Sequence, residues 1–438
     1  MSEAPNEENR SDSDEKMLDE LQRETFNYFK YEVNSENGLI KDKTRPDFPS
    51  SIAAVGMGLT CYLVGIERGY ISREEGSERT LTILRFLKHS QQGKGEQATG
   101  YKGFYYHFLD MKSGQRVWRC ELSTIDTGFL IAGALAAAQF FDRDTEEENE
   151  IRALADFLYR RVDWHWARGG VGKISHGWTP ERGFLPYTWD GYDEALLLYV
   201  LALGSPTHPV ERESYDAFVS TYIWKTIYGK ELLYAGPLFI HQYPHIWIDF
   251  REIKDDAMRQ KSLDYFENSC RSAYVQQQYA IHNPNEFDGY GEYCWGFTAS
   301  DGPGPMSAKI DGIQRVFFDY VARGVPYGPD DGTISPWAAV ASLPFAPDLV
   351  IPTIRYFEKI KLRENNPYGF KATFNPTYGK EKGKRMWISP YHFGINQGPV
   401  VLMIENYRSE MIWKLMRKCP YIINGLRKAG FTGGWLEG

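Results

Sequence analysis

Residues 189–209 (WDGYDEALLLYVLALGSPTHP) place two carboxyl groups directly before a long apolar run. The run predicts a buried helix that begins close to Asp193 and Glu194, which follow the aromatic residues Trp189 and Tyr192. Desolvation among such neighbours raises the pKa of a carboxyl group, and a general acid needs a raised pKa. We therefore predict Glu194 as a catalytic acid, with Trp189, Tyr192 and Asp193 as substrate contacts. Alternatively, the two acids only cap the helix, an interpretation that suits Asp193 better.

A second segment, residues 119–126 (RCELSTID), leads into another apolar stretch. Glu121 precedes this stretch and Asp126 falls inside it, where a carboxylate is costly unless it is paired. Both are candidate catalytic carboxylates, and Arg119 is a candidate substrate contact. Alternatively, Glu121 forms an ion pair with Arg119, and Asp126 holds a neighbouring inner helix.

A third segment, residues 288–305 (DGYGEYCWGFTASDGPGP), is too rich in glycine and proline for a helix or a central strand and predicts a shaped loop. We predict Trp295 as a stacking platform for a sugar ring, and Tyr290, Glu292 and Asp301 as side chains that bind its hydroxyl groups. Alternatively, the two acids accept hydrogen bonds from N–H groups of turns, which is common among glycines.

The fourth segment, residues 394–399 (GINQGP), is a loop before a further apolar helix. Side-chain amides suit the recognition of sugars, so Asn396 is a candidate for the catalytic centre and Gln397 a candidate for substrate binding. The alternative is that both residues only cap the helix.

The elements that would hold these four segments are helices joined by long loops. Helical spacing, glycine stops and capping boxes at Ser72 and Thr145 predict helices at 16–33, 51–68, 80–89, 122–141, 145–161, 195–203, 210–226, 255–281, 336–343, 348–361 and within 399–428. Gly204 is expected in the left-handed conformation just past a helix end. A hairpin is expected at 103–119, around a turn at 111–114.

The order of these elements indicates the fold class. The sequence shows no alternation of strands and helices and no glycine-rich phosphate loop after a strand, so a doubly wound sheet is not expected. Paired helices joined by long loops predict an all-α fold, a helical toroid in which inner and outer helices alternate, with short β-hairpins in the loops.

Composition narrows the class of ligand. Aromatic residues make up 15% of the chain, which suits stacking on flat ligand faces such as sugar rings. The net charge of −8 and the lack of a Lys/Arg block argue against nucleic acid and against an anionic membrane surface, and no apolar run is long enough for a membrane span. Five cysteines without CxxC spacing and nine histidines without HExxH spacing predict no metal site, and no cofactor is expected.

The first fifteen residues are polar and acidic, and we expect them to be a disordered tail ahead of a single catalytic domain at 16–438. They look like a tether left after a signal or lipid-anchor segment has been trimmed. A periplasmic or secreted location is therefore expected, although the chain as given carries no export signal and a cytoplasmic location stays open. We expect a monomer.

Four motifs in order resemble a known family: RCELSTIDTGFL (119–130), YDEALLLYVLALGSPTHP (192–209), GYGEYCWGFTASDGPGP (289–305) and GINQGPVVLMIENYR (394–408). They are similar to the bacterial β-1,2-glucanases of glycoside hydrolase family 144, a family once labelled as glucoamylases. The resemblance implies an (α/α)6 toroid that acts on linear β-1,2-glucan by inversion, with Glu194 as the acid and with Glu121 and Asp126 as acids of the cleft. The partner implied is a neutral glucan or gluco-oligosaccharide.

One position departs from the family pattern, because the last motif usually reads GIDQG and this chain has Asn396 in place of the aspartate. An amide cannot take a proton from water, so the protein is either impaired or altered at this position, or its base is Glu121, Asp126 or another carboxylate. The alternative functions are a catalytically impaired β-glucan-binding protein and another (α/α)6 carbohydrate-active enzyme, such as a lyase or an epimerase.

Overall fold

The computed structural model describes residues 7–381, 383 and 385–437, and helices dominate it. Within this part of the chain the helices are α1 Glu7–Tyr31, α2 Ile52–Glu67, α3 Arg73–His89, α4 Thr124–Phe140, α5 Glu146–Arg161, α6 Ala195–Gly204, α7 Arg212–Val219, α8 Tyr243–Trp247, α9 Asp256–Gln260, α10 Tyr265–His282, α11 Pro336–Ala341, α12 Pro347–Lys359, α13 Pro376–Glu381, α14 Gly394–Ser409, α15 Met411–Met416 and α16 Pro420–Lys428.

The strands are short and lie between the helices. They are β1 Ser50–Ser51, β2 Gly100–Tyr101, β3 Phe104–Tyr106, β4 Phe108–Leu109, β5 Leu122–Ser123, β6 Gly177–Thr179, β7 Gly183–Phe184, β8 Trp224–Ile227, β9 Lys230–Leu233, β10 Ala299–Ser300, β11 Met306–Ile310, β12 Ile313–Phe317, β13 Val321–Ala322, β14 Phe374–Asn375 and β15 Trp387–Ile388. One sheet has the order β2-β3-β5-β6-β7, and the other strands form antiparallel pairs.

Six helices, α2, α4, α6, α8, α11 and α14, form an inner ring. Their sequences are apolar on nearly every face, and nearly all of their residues are buried. Helix α2 packs on α4 and α14, α6 packs on α4 and α8, and α14 packs on α11. Gln242 joins α8 to α11, because its Nε2 donates a hydrogen bond to the carbonyl oxygen of Ala338 at 2.6 Å.

Amphipathic helices surround this ring. Helices α1, α3, α5 and α12 pack against inner helices and carry apolar residues on one side only; in α5, for example, Ile151, Leu154 and Leu158 are buried. The predicted all-α class and the (α/α)6 toroid are confirmed. The hydrophobic core includes residues from Met17 to Leu436.

The first helix begins earlier than the sequence suggests. Helix α1 starts at Glu7, so the part of the expected disordered tail that covers residues 7–15 is helical; residues 1–6 lie outside the described residues. Ion pairs with distant arginines account for this difference, since Asp14 pairs with Arg355 and Glu15 with Arg408. These partners cannot be identified from the acidic composition of the segment.

Two predicted helices are shorter in the structure. The expected helix at 255–281 is divided into α9 and α10, because Asp264 caps a new start by accepting a hydrogen bond from the N–H of Glu267 at 2.7 Å. The expected helix at 210–226 ends at Val219, and its last residues belong to β8.

The predicted left-handed conformation of Gly204 is not found, and the glycine is required for helix packing instead. It is the last residue of α6 and is not left-handed. A Cβ atom at this position would lie 2.3 Å from the carbonyl oxygen of Tyr421 in α16. The glycine is therefore needed because two helices approach closely, not because the backbone turns.

The predicted hairpin at 103–119 is partly confirmed. The chain turns at 111–114, and Leu109 and Arg116 form an antiparallel bridge across the turn. However, β3 pairs with β2 and β5 within the larger sheet, where Tyr105 lies opposite Ser123. This pairing fixes the strand residues that precede α4. None of the helices in the described residues is both long and apolar enough to cross a membrane.

Candidate active site

Glu194 stands at the N-terminal end of the inner helix α6, as its N-cap residue. In the described part of the chain its carboxyl group accepts no hydrogen bond from another residue's side chain. Burial raises the pKa of Glu194 to about 7, the hydrogen bond from its own backbone N–H lowers the pKa, and the charge of Asp126 raises it. Near neutral pH this group is therefore able to carry and release a proton.

The neighbouring Asp193 makes the capping contact. Its Oδ1 accepts a hydrogen bond from the N–H of Ala195 at 2.9 Å, whereas the side chain of Glu194 makes no capping bond. Burial, followed by the charge of Glu194, raises the pKa of Asp193 well above its usual range. The capping interpretation thus applies to Asp193 and leaves Glu194 free.

Asp126 lies in the first turn of α4, and Ser123 holds it in place. The Ser123 Oγ accepts a hydrogen bond from the N–H of Asp126 at 3.2 Å and donates its own proton to Asp126 Oδ2 at 2.5 Å. Only 4% of the Asp126 surface is exposed. The Ser-x-x-Asp spacing is a helix-capping pattern that is visible in the sequence.

His107, between β3 and β4, links two of the carboxylates and was missed from the sequence. Its Nδ1 donates a hydrogen bond to Glu121 Oε1 at 2.7 Å, and its Nε2 lies 3.7 Å from Asp126 Oδ2. Burial opposes protonation, but the charges of Asp126 and Glu121 outweigh it and raise the pKa of His107 to about 9. His107 is therefore a cation at neutral pH.

This cation sets the state of Glu121. Burial alone would raise the pKa of Glu121, but the hydrogen bond and the charge of His107 hold it below its usual range. The alternative prediction of an ion pair between Glu121 and Arg119 is wrong, because Arg119 is exposed in a turn and His107 is the partner of Glu121.

Asp42 is a further acid of this cluster that the sequence did not reveal. Only 9% of its surface is exposed, and its carboxylate makes no hydrogen bond or ion pair with any described residue. Burial raises its pKa to about 6, His107 and Lys43 lower it, and Asp126 raises it. Its backbone carbonyl accepts a hydrogen bond from the N–H of Gly394 at 2.8 Å, which fixes Asp42 beside the start of α14.

Tyr320 lies among the carboxylates. Burial of its hydroxyl, together with the charges of Asp42, Asp126, Asp301 and Glu194, raises its pKa well above the usual range. At the same time 55% of the residue is exposed, which places the ring at an open edge of the cluster. Tyr320 was not identified from the sequence because it follows a hairpin with no recognisable motif.

The two predicted aromatic contacts before Glu194 are largely covered by protein. The ring of Trp189 stacks on His176 with a centroid distance of 4.0 Å, and its Nε1 donates a hydrogen bond to Thr124 Oγ1 at 3.0 Å. Tyr192 stacks on Tyr265 at 5.7 Å and is 4% exposed. Both rings are covered by neighbouring residues, so neither presents an open face to a ligand.

The loop at 288–305 differs most from its prediction. Trp295 is fully buried, so it is not a sugar platform. The hydroxyl of Tyr290 donates to Asp330 at 2.5 Å, and Glu292 is exposed. Of the four candidates in this loop only Asp301 interacts with the cluster; its carboxylate also accepts a hydrogen bond from Ser389 Oγ at 2.7 Å.

The two amides of α14 have different environments. Asn396 is 3% exposed, and its Nδ2 has no hydrogen-bond partner among the described residues. Gln397 Nε2 donates to the carbonyl oxygen of Tyr368 at 2.5 Å, so this amide joins two chain segments in the interior. The prediction that Gln397 binds substrate does not agree with this buried contact.

The described residues contain no group of three or more His, Cys, Asp or Glu side chains arranged to hold a metal ion. The cluster of titratable side chains described above consists of the carboxylates Glu194, Asp126, Glu121, Asp42 and Asp301 with the cation His107 and the phenol Tyr320. A free proton donor beside several ionised acids is an arrangement suited to acid–base catalysis.

A protein-family model described as Glycoamylase, "Putative glucoamylase", matches residues 186–420, which is more than half of the chain. The chain belongs to this family. The match begins just before Trp189 and includes the helix that carries Glu194, the loop at 288–305 and the start of α14.

A relative with a named activity is similar over nearly the whole of this chain. An exo β-1,2-glucooligosaccharide sophorohydrolase (non-reducing end) of Parabacteroides distasonis is 30% identical over 452 residues, covering 95% of this chain but 58% of that protein. The chain therefore spans less than two thirds of the length of this relative.

Two solved structures match the whole fold. A crystal structure called a putative glucoamylase, from Bacteroides uniformis, is 33% identical with a TM-score of 0.85, covering 97% of this chain and 98% of the other. An endo-β-1,2-glucanase from Chitinophaga pinensis, in complex with sophorotriose and glucose, is 29% identical with a TM-score of 0.82, covering 97% and 99%.

Proposed function

We propose that this protein is a glycoside hydrolase that cleaves β-1,2-glucan with inversion at the anomeric carbon, with Glu194 as the general acid. The observation that carries the proposal is the carboxyl group of Glu194, which accepts no hydrogen bond from another side chain in the described residues and whose pKa is raised to about 7 by desolvation. The substrate is inferred from relatives whose names specify β-1,2-glucans.

The acid step follows from this geometry. Glu194 delivers its proton to the glycosidic oxygen, directly or through a substrate hydroxyl, as the bond between that oxygen and the anomeric carbon breaks. Asp193 does not compete for this role, because its carboxylate is bound to the N–H of Ala195.

The base is chosen by eliminating the carboxylates that already have partners. Glu121 is bound to His107, and Asp126 is bound to Ser123. The Asp42 carboxylate makes no hydrogen bond or ion pair with any described residue. The charges of His107 and Asp126 nevertheless shift its pKa. We assign Asp42 as the base that takes a proton from the attacking water.

Inversion requires the acid and the base to act from opposite sides of the sugar. The charge of Asp126 raises the pKa of both Glu194 and Asp42, so both carboxyl groups belong to the same cluster. An inverting hydrolase holds its two carboxyl groups about 6.5–9.5 Å apart so that a water molecule fits on the far side of the sugar. The water oxygen bonds to the anomeric carbon as the glycosidic bond breaks. Asp42 takes a proton from the water, and Glu194 gives its proton to the leaving oxygen.

Incubation with linear β-1,2-glucan tests this function, with product chromatography and NMR of the first anomer formed. We expect sophoro-oligosaccharides whose new reducing ends are initially α. If cellulose, laminarin or starch is cut and β-1,2-glucan is not, the substrate assignment is wrong; a β anomer contradicts inversion. A variant Glu364→Gln, which alters an exposed acid paired only with Lys361, serves as the control.

Asn396 supports one alternative, a protein that binds β-glucan without turnover. In that case calorimetry would detect binding, no product would form, and Asn396→Asp would create activity. Our assignment of Asp42 expects the opposite: the natural chain is active with Asn396 in place, and Asp42→Asn abolishes turnover.

A further inference from the structure

A tight turn at residues 117–120 carries an unusual pair of residues. The N–H of Cys120 donates a hydrogen bond to the carbonyl oxygen of Val117 at 3.1 Å, and both central residues are left-handed, Trp118 with φ 56° and Arg119 with φ 51°. Turns of this kind favour Asn and Gly at the central positions, because larger side chains are disfavoured there. The chain therefore keeps a tryptophan at a position that local conformation opposes.

A buried arginine fixes this turn. Arg116 is 7% exposed, and its guanidinium donates to the carbonyl oxygens of Arg119 at 2.7 Å and Cys120 at 2.6 Å. The same group forms a two-point ion pair with Glu181, at 2.7 and 3.1 Å. Charge-assisted hydrogen bonds from Arg116 thus fix the backbone on the C-terminal side of Trp118.

The indole of Trp118 is open to solvent, with 60% of the residue exposed. It contacts the ring of Phe48 at 4.9 Å and the ring of Phe108 at 5.2 Å, with interplanar angles of 66° and 58°. Neither neighbour stacks flat on the indole, so these contacts support the ring while most of the residue stays exposed.

A continuous path of side chains joins this ring to the catalytic cluster. The ring of Phe108 stacks on His107 with a centroid distance of 4.0 Å and an angle of 9°. On the other side, the Lys43 ammonium group lies 4.5 Å from the ring centre of Phe48, and Lys43 follows Asp42 in the chain. Trp118 is therefore one aromatic ring away from the histidine that contacts Glu121.

We propose that Trp118 is a stacking platform for a glucose ring of the glucan, at a subsite beyond the two sugars that flank the cleaved bond. An aromatic face suits the apolar C–H face of a pyranose, and the neutral polymer needs no charge partner there. Phe108 lies between Trp118 and His107, so the platform is separated from the cluster by one aromatic ring. This subsite rests on the proposed function, since that function supplies the sugar.

Calorimetry on the Glu194→Gln protein tests the platform with β-1,2-gluco-oligosaccharides of graded length. The variant Trp118→Asn removes the ring and keeps the turn, because Asn adopts the left-handed conformation readily. We expect the affinity for long oligosaccharides to fall about three- to tenfold, which corresponds to the loss of one aromatic contact. The affinity for sophorose should not change.

A second turn of the same geometry supplies a matched control. Ile227 and Lys230 pair across the turn between β8 and β9, and its central residues are Tyr228, with φ 47°, and Gly229, with φ 75°. Tyr228→Asn therefore makes a similar change without touching the cluster, and we expect it to leave binding unaltered at every length. In the active protein, Trp118→Asn should raise KM for long glucan while kcat at saturation stays the same.

The outcomes separate the platform from the function. If Trp118→Asn binds long and short oligosaccharides as the parent does, the platform is wrong, whether or not the glucan is cleaved. If the Glu194→Gln protein does not bind β-1,2-linked sugars but binds another glucan, and Trp118→Asn weakens that binding, the platform is supported and the proposed substrate is wrong.

Discussion

Two adjacent acids, Asp193 and Glu194, make different hydrogen bonds, because only Asp193 makes the capping bond of α6. The carboxylate of Asp193 accepts the N–H of Ala195, whereas that of Glu194 accepts its own backbone N–H and is affected by the charge of Asp126. The sequence predicts that both acids lie at a helix start, yet it cannot show which of them takes the capping bond. That choice depends on the turn that leads into α6.

The pH dependence of kcat/KM follows from the two proposed catalytic groups. Asp42 must be ionised, so activity should fall as the pH drops below about 6; Glu194 must be protonated, so activity should fall as the pH rises above about 7. His107, with a pKa of about 9, stays charged between these limits. A profile of kcat/KM between pH 4 and 9 measures both limbs, and a plateau that continues to pH 9 would contradict Glu194 as the acid.

Removal of the His107 cation should shift the acidic limb. In His107→Gln the positive charge that lowers the pKa of Asp42 is lost, so the acidic limb should move to higher pH. Unfolding should become easier by about 1–3 kcal/mol, because Glu121 loses its charged partner. Urea denaturation and the pH profile measure the two effects, and His89→Gln, at an exposed outer-helix histidine, is the control. An unshifted acidic limb would show that Asp42 does not act as the base.

At the scale of elements, the helix starts were the features most accessible from sequence. The capping boxes at Ser72 and Thr145 are confirmed, since their hydroxyls accept hydrogen bonds from the N–H groups of Glu75 and Glu148. The loops were less accessible. Trp295, predicted as a sugar platform, lies in the core, because a tryptophan among glycines is equally suited to packing and to binding.

The contact between α6 and α16 depends on the absence of a side chain at position 204. Gly204→Ala would place a Cβ atom against the carbonyl oxygen of Tyr421, so we expect a loss of about 1–3 kcal/mol in the free energy of unfolding. Gly95→Ala is the matched control, since a Cβ atom there would meet nothing within 4 Å. Equal midpoints of urea unfolding for the two variants would contradict this prediction, since they would mean that α6 and α16 can move apart without a loss of stability.

At the scale of the whole molecule, the ring of apolar helices was predictable because each inner helix is apolar in its own sequence. The assembly of the site was not. Asp42, His107 and Tyr320 come from segments that are far apart in the chain, and none of them stands in a sequence motif that indicates a catalytic site. The three side chains come together when the ring of helices closes, and no local sequence pattern predicts this arrangement.

Some properties of the whole molecule stay predictions. The single catalytic domain, the monomeric state and the periplasmic or secreted location are expectations from the sequence alone. Gel filtration and fractionation of cells that produce the protein would measure the last two.

The substitution Glu194→Gln tests the central claim most directly. It keeps the shape of the side chain but removes the transferable proton, so kcat on β-1,2-glucan should fall by about 10²- to 10⁴-fold while binding of the glucan is retained. Thermal stability should be unchanged, or higher above pH 7, because the charge of the ionised carboxylate is no longer buried. Full turnover combined with a lowered melting temperature would contradict the account, since it would show Glu194 to be a structural charge.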